Sequence, residues 1–357
     1  MNHKVIIVGT HTTETRGGIS TALAGYQEGL NQLEVEYIRV NSHSDIRGRL
    51  PTWFSAWWQV LLLAMRYRSK AIFWFHCGPW LSMLRKASFA IPVRLFGCIT
   101  IAHMHSPTLH NYMDHKYGKH LLKLFFTPFN SVIALTPWWK ARLISFGIKK
   151  PIDVCANPVA EATLSAAKLA LSSSEPSFER KDKIVVLSMA RLIEGKGVEH
   201  VIDALAQLPE CYQLKVAGEG PIKQQLINQV ALLKLKKRVS FHGWVDGSGK
   251  QNLLQSADIF CLPSQYDSFG VVFIEAMAFN LPVIACDWGP ISDVVTPDVG
   301  RLVPYDEPKI IATQIDQVIK RREDYSLNGP KRIIANYSSS ICCHKVMQVF
   351  DRLMSGH

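Results

Sequence analysis

Two carboxylates, Asp267 and Glu275, stand eight residues apart in the stretch Leu-Pro-Ser-Gln-Tyr-Asp-Ser-Phe-Gly-Val-Val-Phe-Ile-Glu that runs from Leu262 to Glu275. The apolar run Ile259 to Leu262 reads as a buried strand, Pro263-Ser264 as a turn, and the residues after Gly270 as a helix that ends before Pro282. Asp267 then lies on the loop ahead of the helix. Glu275 lies about a turn and a half inside it, on the side that can face the same crevice. Between them is a helix N-terminus, whose unpaired N–H groups and partial positive charge suit a phosphate. Such a stretch can hold an anionic group on backbone amides while the carboxylates accept hydrogen bonds from sugar hydroxyls. Strand-turn-helix units are common, so by itself the stretch is equally an ordinary unit with a solvated Asp. The rest of the chain decides.

The elements that must position these groups form two alternating series. In the first, strands fall at Val5–Val8 and near Val35–Arg39, Ala71–Phe75, Cys98–Met104, Ser131–Leu135 and Ile152–Cys155, with helices between them. Gly17-Gly18 sits where the first strand's loop meets its helix and permits close backbone approach by a ligand. It lacks the G-x-G-x-x-G spacing, which removes the main support for nicotinamide chemistry. Thr136 is a candidate N-cap with Pro137 at the first helical position. Residues 161–183, rich in Ala, Ser and Lys and without an apolar period, read as a linker. In the second series strands fall near Ile184–Met189, Gln213–Ala217, Val239–Phe241, Asp258–Leu262, Val283–Ala285 and Arg301–Val303, and a helix over Gly197–Leu208 carries Val198, Val201, Ile202, Leu205 and Leu208 on one face. The expected architecture is α/β, with two doubly wound Rossmann-like domains facing a central cleft, at 1–160 and 184–324. From about Asp306 the chain reads as helical to its end.

A chain of 357 residues with 48% apolar and 19% charged content suits a two-domain globular protein. Its eight cysteines are scattered without a C-x-x-C pair, and no Cys/His set has metal-ligand spacing, so a reduced, cytosolic protein without a metal site is expected. Val5–Val8 reads as a strand rather than part of a signal peptide. The net charge of +11 is uneven: residues 51–150 hold 13 Lys or Arg against the single acidic Asp114, so the remainder sums to −1. Trp53, Phe54, Trp57, Trp58, Phe73, Trp74, Phe75, Trp80, Trp138 and Trp139 fall in the same block. Basic residues interleaved with aromatics point to an anionic surface, and the tryptophan density favours lipid over nucleic acid. No run reaches the roughly 18 apolar residues that span a bilayer, and the stretch is otherwise read as buried helices with basic flanks.

Six motifs in order carry a resemblance: Met189-Ala-Arg-Leu-Ile-Glu-Gly-Lys-Gly197, Val216-Ala-Gly-Glu-Gly-Pro221, Phe241-His-Gly-Trp-Val245, Pro263-Ser264, Asp267 to Glu275, and Gly300-Arg-Leu-Val-Pro304. With Gly17-Gly18, His103-Met-His-Ser106 and Asn157-Pro158 in the first half, the chain resembles the retaining glycosyltransferases of family 4, which have the GT-B fold. The resemblance implies that Arg191 and Lys196 face the donor diphosphate, where fixed cations stabilise the charge that builds on the leaving group. It implies that Glu275 accepts from the ribose hydroxyls and that Asp267 and Ser264 line the donor sugar. Phe269 and Gly270 then offer backbone N–H groups, Gly218 and Gly220 let the backbone approach the nucleotide together with Gly17 and Gly18, and Trp244 and Val245 line the base. His105 is the better candidate for a histidine beside the sugar, with His103 two residues back as the second. The family's first carboxylate is usually Glu, and Asp267 here is a methylene shorter, which bears on the sugar chosen.

No D-x-D triplet occurs, so a metal-independent transfer without cofactor is expected, with retention implied by the family. The expected enzyme moves a hexose or N-acetylhexosamine from a nucleotide sugar, UDP- rather than GDP-linked, to a lipid-linked or lipopolysaccharide-type acceptor at the inner face of the cell membrane. Residues 325–357 are expected to cross back to the first domain, and residues 51–150 to dock on the bilayer. The competing readings are a non-catalytic nucleotide-sugar-binding protein of the same fold, a GT-B epimerase or phosphorylase, and nucleic-acid binding by the basic block.

Overall fold

A computed structural model describes residues 3–15, 17–46, 48–172 and 182–356. The chain divides into two compact units, Met1–Glu161 with Asn336–His357, and Ala162–Ala335.

The first unit is built from β1 (Lys4–Thr10), α1 (Gly18–Gln32), β2 (Tyr37–His43), α2 (Arg49–Tyr67), β3 (Ala71–Cys77), α3 (Trp80–Leu95), β4 (Ile99–Met104), α4 (Leu109–Asp114), α5 (Gly118–Phe126), β5 (Ser131–Ala134), α6 (Pro137–Ser145) and β6 (Ile152–Val154). All six strands are parallel, in the order β2-β1-β3-β4-β5-β6. β3 and β4 are buried at every position, as strands covered on both faces must be. Thr136 caps α6 by accepting from the Trp139 N–H at 3.4 Å, with Pro137 opening the helix. The second strand begins at Tyr37, not Val35, because Glu34 takes a left-handed φ of 53° and the turn it makes is completed before pairing starts.

The stretch 161–183 is not a plain linker. Glu161–Ser172 is a helix, α7, which buries Leu164 and Ala167, and residues 173–181 lie outside the described ones. The second unit continues with β7 (Ile184–Met189), α8 (Val198–Leu205), β8 (Tyr212–Ala217), α9 (Lys223–Leu232), β9 (Val239–Phe241), α10 (Gly247–Gln255), β10 (Ile259–Leu262), α11 (Val271–Ala278), β11 (Val283–Cys286), α12 (Ile291–Val294), β12 (Gly300–Val303), α13 (Pro308–Lys320) and α14 (Asn328–Asn336). Its sheet is also parallel, in the order β12-β11-β10-β7-β8-β9. Gly197 caps α8 at a φ of 76°, where an added Cβ would meet the Pro263 carbonyl at 2.5 Å, so this corner takes glycine alone.

The last helix, α15 (Ser339–Ser355), belongs to the first unit, which the chain re-enters at Asn336 and not at 325. α14 stays on the second unit, with Gly329 against the Met277 carbonyl. α15 packs on α1, where Gly29 leaves room for the Ser339 backbone. Cys342, Cys343, Val346 and Phe350 thereby complete a core with Tyr26, Leu30 and Trp74. The aromatic block of 51–150 therefore divides in two. Phe73, Trp74, Phe75 and Trp139 are core residues, whereas Phe54 and Trp58 lie exposed on α2.

Candidate active site

In each sheet the strand order reverses beside the first strand, between β1 and β3 in one and between β7 and β10 in the other. Ligands of doubly wound sheets bind outside the C-terminal strand ends at such a reversal. In the second unit the loops leaving β7 and β10 meet there. Lys196 Nζ donates to Asp267 Oδ1 at 2.8 Å, to Ser264 Oγ at 3.2 Å and to the Tyr266 carbonyl at 3.5 Å. Both members of the ion pair are largely but not fully covered, at 16% and 18% side-chain exposure, so the pair is only partly screened by water. Asp267 Oδ2 is buried and has no hydrogen-bond partner among the described residues, which leaves one carboxylate oxygen in need of a donor. Arg191 lies on the same β7 loop, exposed and with no side-chain partner among the described residues. Gly270 is the N-cap of α11, and Phe269 beside it is buried.

Glu275, in the second turn of α11, is buried and accepts a hydrogen bond from Lys250 Nζ. Lys250 escapes the sequence reading. It follows Gly247-Ser-Gly249 on α10, and nothing in the spacing ties it to a carboxylate 25 residues on. Gly218 and Gly220, taken as room for a nucleotide, are first of all required by the protein's own packing. Cβ atoms there would stand 1.8 Å from the Ala190 carbonyl oxygen and 2.1 Å from that of Leu192. Gly218 N–H also donates to the Gly243 carbonyl at 2.7 Å, which draws the loop bearing Trp244 and Val245 to the end of β8. The chain thus assembles Lys196, Asp267 and Ser264 into one contact set and gives Glu275 a cationic neighbour. Arg191 is left free for a ligand.

The first unit holds the other residues. Gly17 and Gly18 lie at the start of α1, which follows β1. His105 follows β4, and its backbone N–H donates to the Cys77 carbonyl at 2.8 Å, extending the ladder with β3. His103 pairs in register with His76 of β3 and stacks on Trp74. His105 Nε2 lies 2.9 Å from His76 Nδ1. All three rings are buried. Burial pushes the His105 imidazole down to about 3 and holds His76 and His103 well below the usual histidine range, so the three are neutral. His76 is a second omission of the sequence reading; its signal is a histidine at the C-terminal end of a buried strand.

Two doubly wound α/β units, one with a cation-carboxylate set at its reversal of strand order, have the architecture in which nucleotides are commonly bound. Residues 172–336 match the model of the family described as Glycosyl transferases group 1. A phosphatidyl-myo-inositol mannosyltransferase of Mycobacterium leprae is 32% identical over 180 residues, 48% of this chain and 47% of that protein. A lipopolysaccharide core biosynthesis glycosyltransferase of Rhizobium meliloti, LpsE, is 28% identical over 232 residues, 63% of this chain and 65% of that one. The chain spans about half the length of the first curated relatives it matches. Among solved structures, Anabaena HepE in complex with UDP and glucose superposes with a TM-score of 0.73 at 18% identity, covering 98% of this chain and 100% of that one. The fold is GT-B.

Proposed function

We propose that the protein is a glycosyltransferase that moves a hexose or N-acetylhexosamine from a nucleotide sugar to a lipid-linked or lipopolysaccharide-type acceptor, with retention and without a metal ion. The observation that carries the reading is the β7–β10 contact set, with Lys196 locked onto Asp267 and a spare Asp267 oxygen, together with an exposed Arg191 on the same β7 loop. Two cations and a helix N-terminus neutralise a departing diphosphate. The spare carboxylate oxygen accepts a sugar hydroxyl. UDP is favoured over GDP because a protein of the same fold has been solved with UDP and glucose. The acceptor class follows the two relatives, named for phosphatidyl-myo-inositol and for lipopolysaccharide core.

Nucleotide-sugar binding is read by thermal shift across a panel of UDP- and GDP-sugars, with wild type and Glu275→Ala. A donor at 100 times its Kd stabilises the protein by about 2.7 kcal/mol. One donor is expected to raise the Tm of wild type and to raise that of Glu275→Ala much less. No shift with any donor, or with UDP or GDP, on folded wild type removes the transferase reading in favour of a non-catalytic relative.

The acceptor side is proposed to work at the cytoplasmic membrane surface. No helix among the described residues is long and apolar enough to cross a membrane. α2 buries Ala56, Val60 and Ala64 while Leu50, Phe54, Trp58, Leu62 and Met65 stand 40–68% exposed along its opposite side. α3, packed beside it, exposes Leu81, Leu84, Ile91 and Leu95. These apolar stripes on a basic block suit the boundary of an anionic bilayer. In co-sedimentation, wild type is expected to bind vesicles with anionic lipid, more weakly as salt rises. Phe54→Ser/Trp58→Ser is expected to lose most of that binding with its Tm retained. Equal binding of the double variant excludes this surface.

A further inference from the structure

The histidine cluster of the first unit has no assigned purpose beyond His105. One ring nitrogen from each of His76, His103 and His105 lies within 4.8 Å of the others, at the C-terminal ends of β3 and β4. Three imidazoles invite a metal ion. The surroundings oppose one. No carboxylate joins the group among the described residues, and Lys86 and Arg39 are the charged side chains beyond the cluster whose fields reach His76. A buried dication would be uncompensated and repelled.

We infer that His76 is a positioning residue, which donates from Nδ1–H to His105 Nε2 and so fixes His105 in the tautomer that carries its proton on Nδ1 and offers it to the bound sugar. The 2.9 Å contact allows two assignments. If His105 Nε2 were the donor, the proton of His76 would sit on Nε2, which is buried and has no partner. In the reverse assignment that nitrogen is a bare acceptor. A buried N–H without a partner is costly, and each assignment leaves one, so the use of the orphan donor decides between them. The second assignment leaves His105 Nδ1–H as the orphan, also buried and unpartnered in the ligand-free protein. A donor there has a use that one on His76 lacks, because His105 stands just past the C-terminal end of β4, where ligands of doubly wound sheets bind, whereas His76 lies inside β3. The ring is stacked on His76 at 5.1 Å and packed at a tilt against His103 at 4.4 Å, which opposes a turn that would exchange its nitrogens. Burial keeps both partners neutral, so the group is a fixed hydrogen-bond donor, not a base.

The inference rests on the proposed transferase function, and the test separates the two because the tautomer is read without any transfer assay. Full-length protein labelled with 15N-histidine, dialysed against chelator and free of ligand, is examined by long-range 1H–15N correlation, with His105 assigned from His105→Asn. The expected pattern is a protonated Nδ1 and a bare Nε2 on His105. A protonated Nε2 overturns the inference. So does a pattern that changes on adding zinc alone at one equivalent, since the lone pairs then serve a metal. In His76→Leu the His105 tautomers are expected to mix, and kcat to fall about tenfold at unchanged donor KM. His76→Gln, which keeps an N–H donor, is expected to restore both. A changed tautomer with unchanged kcat overturns the positioning role, while the pattern in wild type stands independently of any transfer assay.

Discussion

Lys196→Ala is expected to lower kcat/KM for sugar transfer by about 10²–10³-fold, the usual cost of removing one fixed charge-stabilising donor from an active site. An ammonium has three N–H groups, and in the ligand-free protein all three are engaged, by Asp267, Ser264 and the Tyr266 carbonyl. The contact with Tyr266, at 3.5 Å, is the longest and the one a phosphate oxygen would replace. In the proposed transferase, the ion pair with Asp267 would hold the ammonium where charge builds on the leaving group, so that little reorganisation would be needed at the moment of reaction. The truncation also leaves Asp267, already with one unpartnered oxygen, without its counter-charge. A stability loss of about 1–3 kcal/mol accompanies the kinetic one. Initial rates and calorimetry on the same preparation separate the two. Lys196→Arg is not a rescue, because a planar fork cannot reproduce three divergent short contacts. A fall of less than tenfold, on protein that remains folded, would mean that the leaving group is met elsewhere.

The second large effect is structural. Gly218→Ala is expected to remove the folded second unit. Its φ of 143° suits glycine alone, and the new Cβ would stand 1.8 Å from the Ala190 carbonyl oxygen and 2.9 Å from its carbon. Both obstacles are backbone at the end of β7, so no rotamer change relieves them. The same residue's N–H holds the Gly243 carbonyl, and any shift that admits the methyl group breaks that bond. The combined cost exceeds about 4–5 kcal/mol, a large share of the roughly 5–15 kcal/mol that holds a domain together. Insoluble protein or loss of the cooperative transition of this unit is the expected result by scanning calorimetry. Gly249→Ala, where an added Cβ meets nothing within 4 Å, is the control and should leave the Tm nearly unchanged. A folded Gly218→Ala within a few degrees of wild type would show that the β7 and β8 loops can separate at little cost.

Much of this was legible in the sequence, for local reasons. Strands buried on both faces must be near-continuous apolar runs, and Ala71–Phe75 and Ile259–Leu262 are. Thr136-Pro137 announces a helix because cap and first turn are chemistry between near neighbours. Six motifs, each weak alone, name the family because their order along the chain is itself a pattern. The reading fails where local composition and tertiary packing diverge. Residues 161–172 lack an apolar period yet form α7, since burying Leu164 and Ala167 is enough to hold a helix of good formers. The aromatics of 51–150 share a composition but not a fate, because strand position sends Phe73, Trp74 and Phe75 inward and helix phase sends Phe54 and Trp58 outward.

The sequence by itself determined the residue types, their order and the two parallel sheets, because periodicity and turn chemistry act over a few residues. Which groups meet was decided only by tertiary structure. Lys196 and Asp267 are 71 positions apart, and they pair because β7 and β10 are neighbours where the strand order reverses. Lys250 on Glu275, and His76 on His105, are contacts of the same kind, made by helix packing and strand register between segments 25 and 29 residues apart. A buried charge or imidazole takes its protonation and its partner from whatever the fold places within about 3 Å.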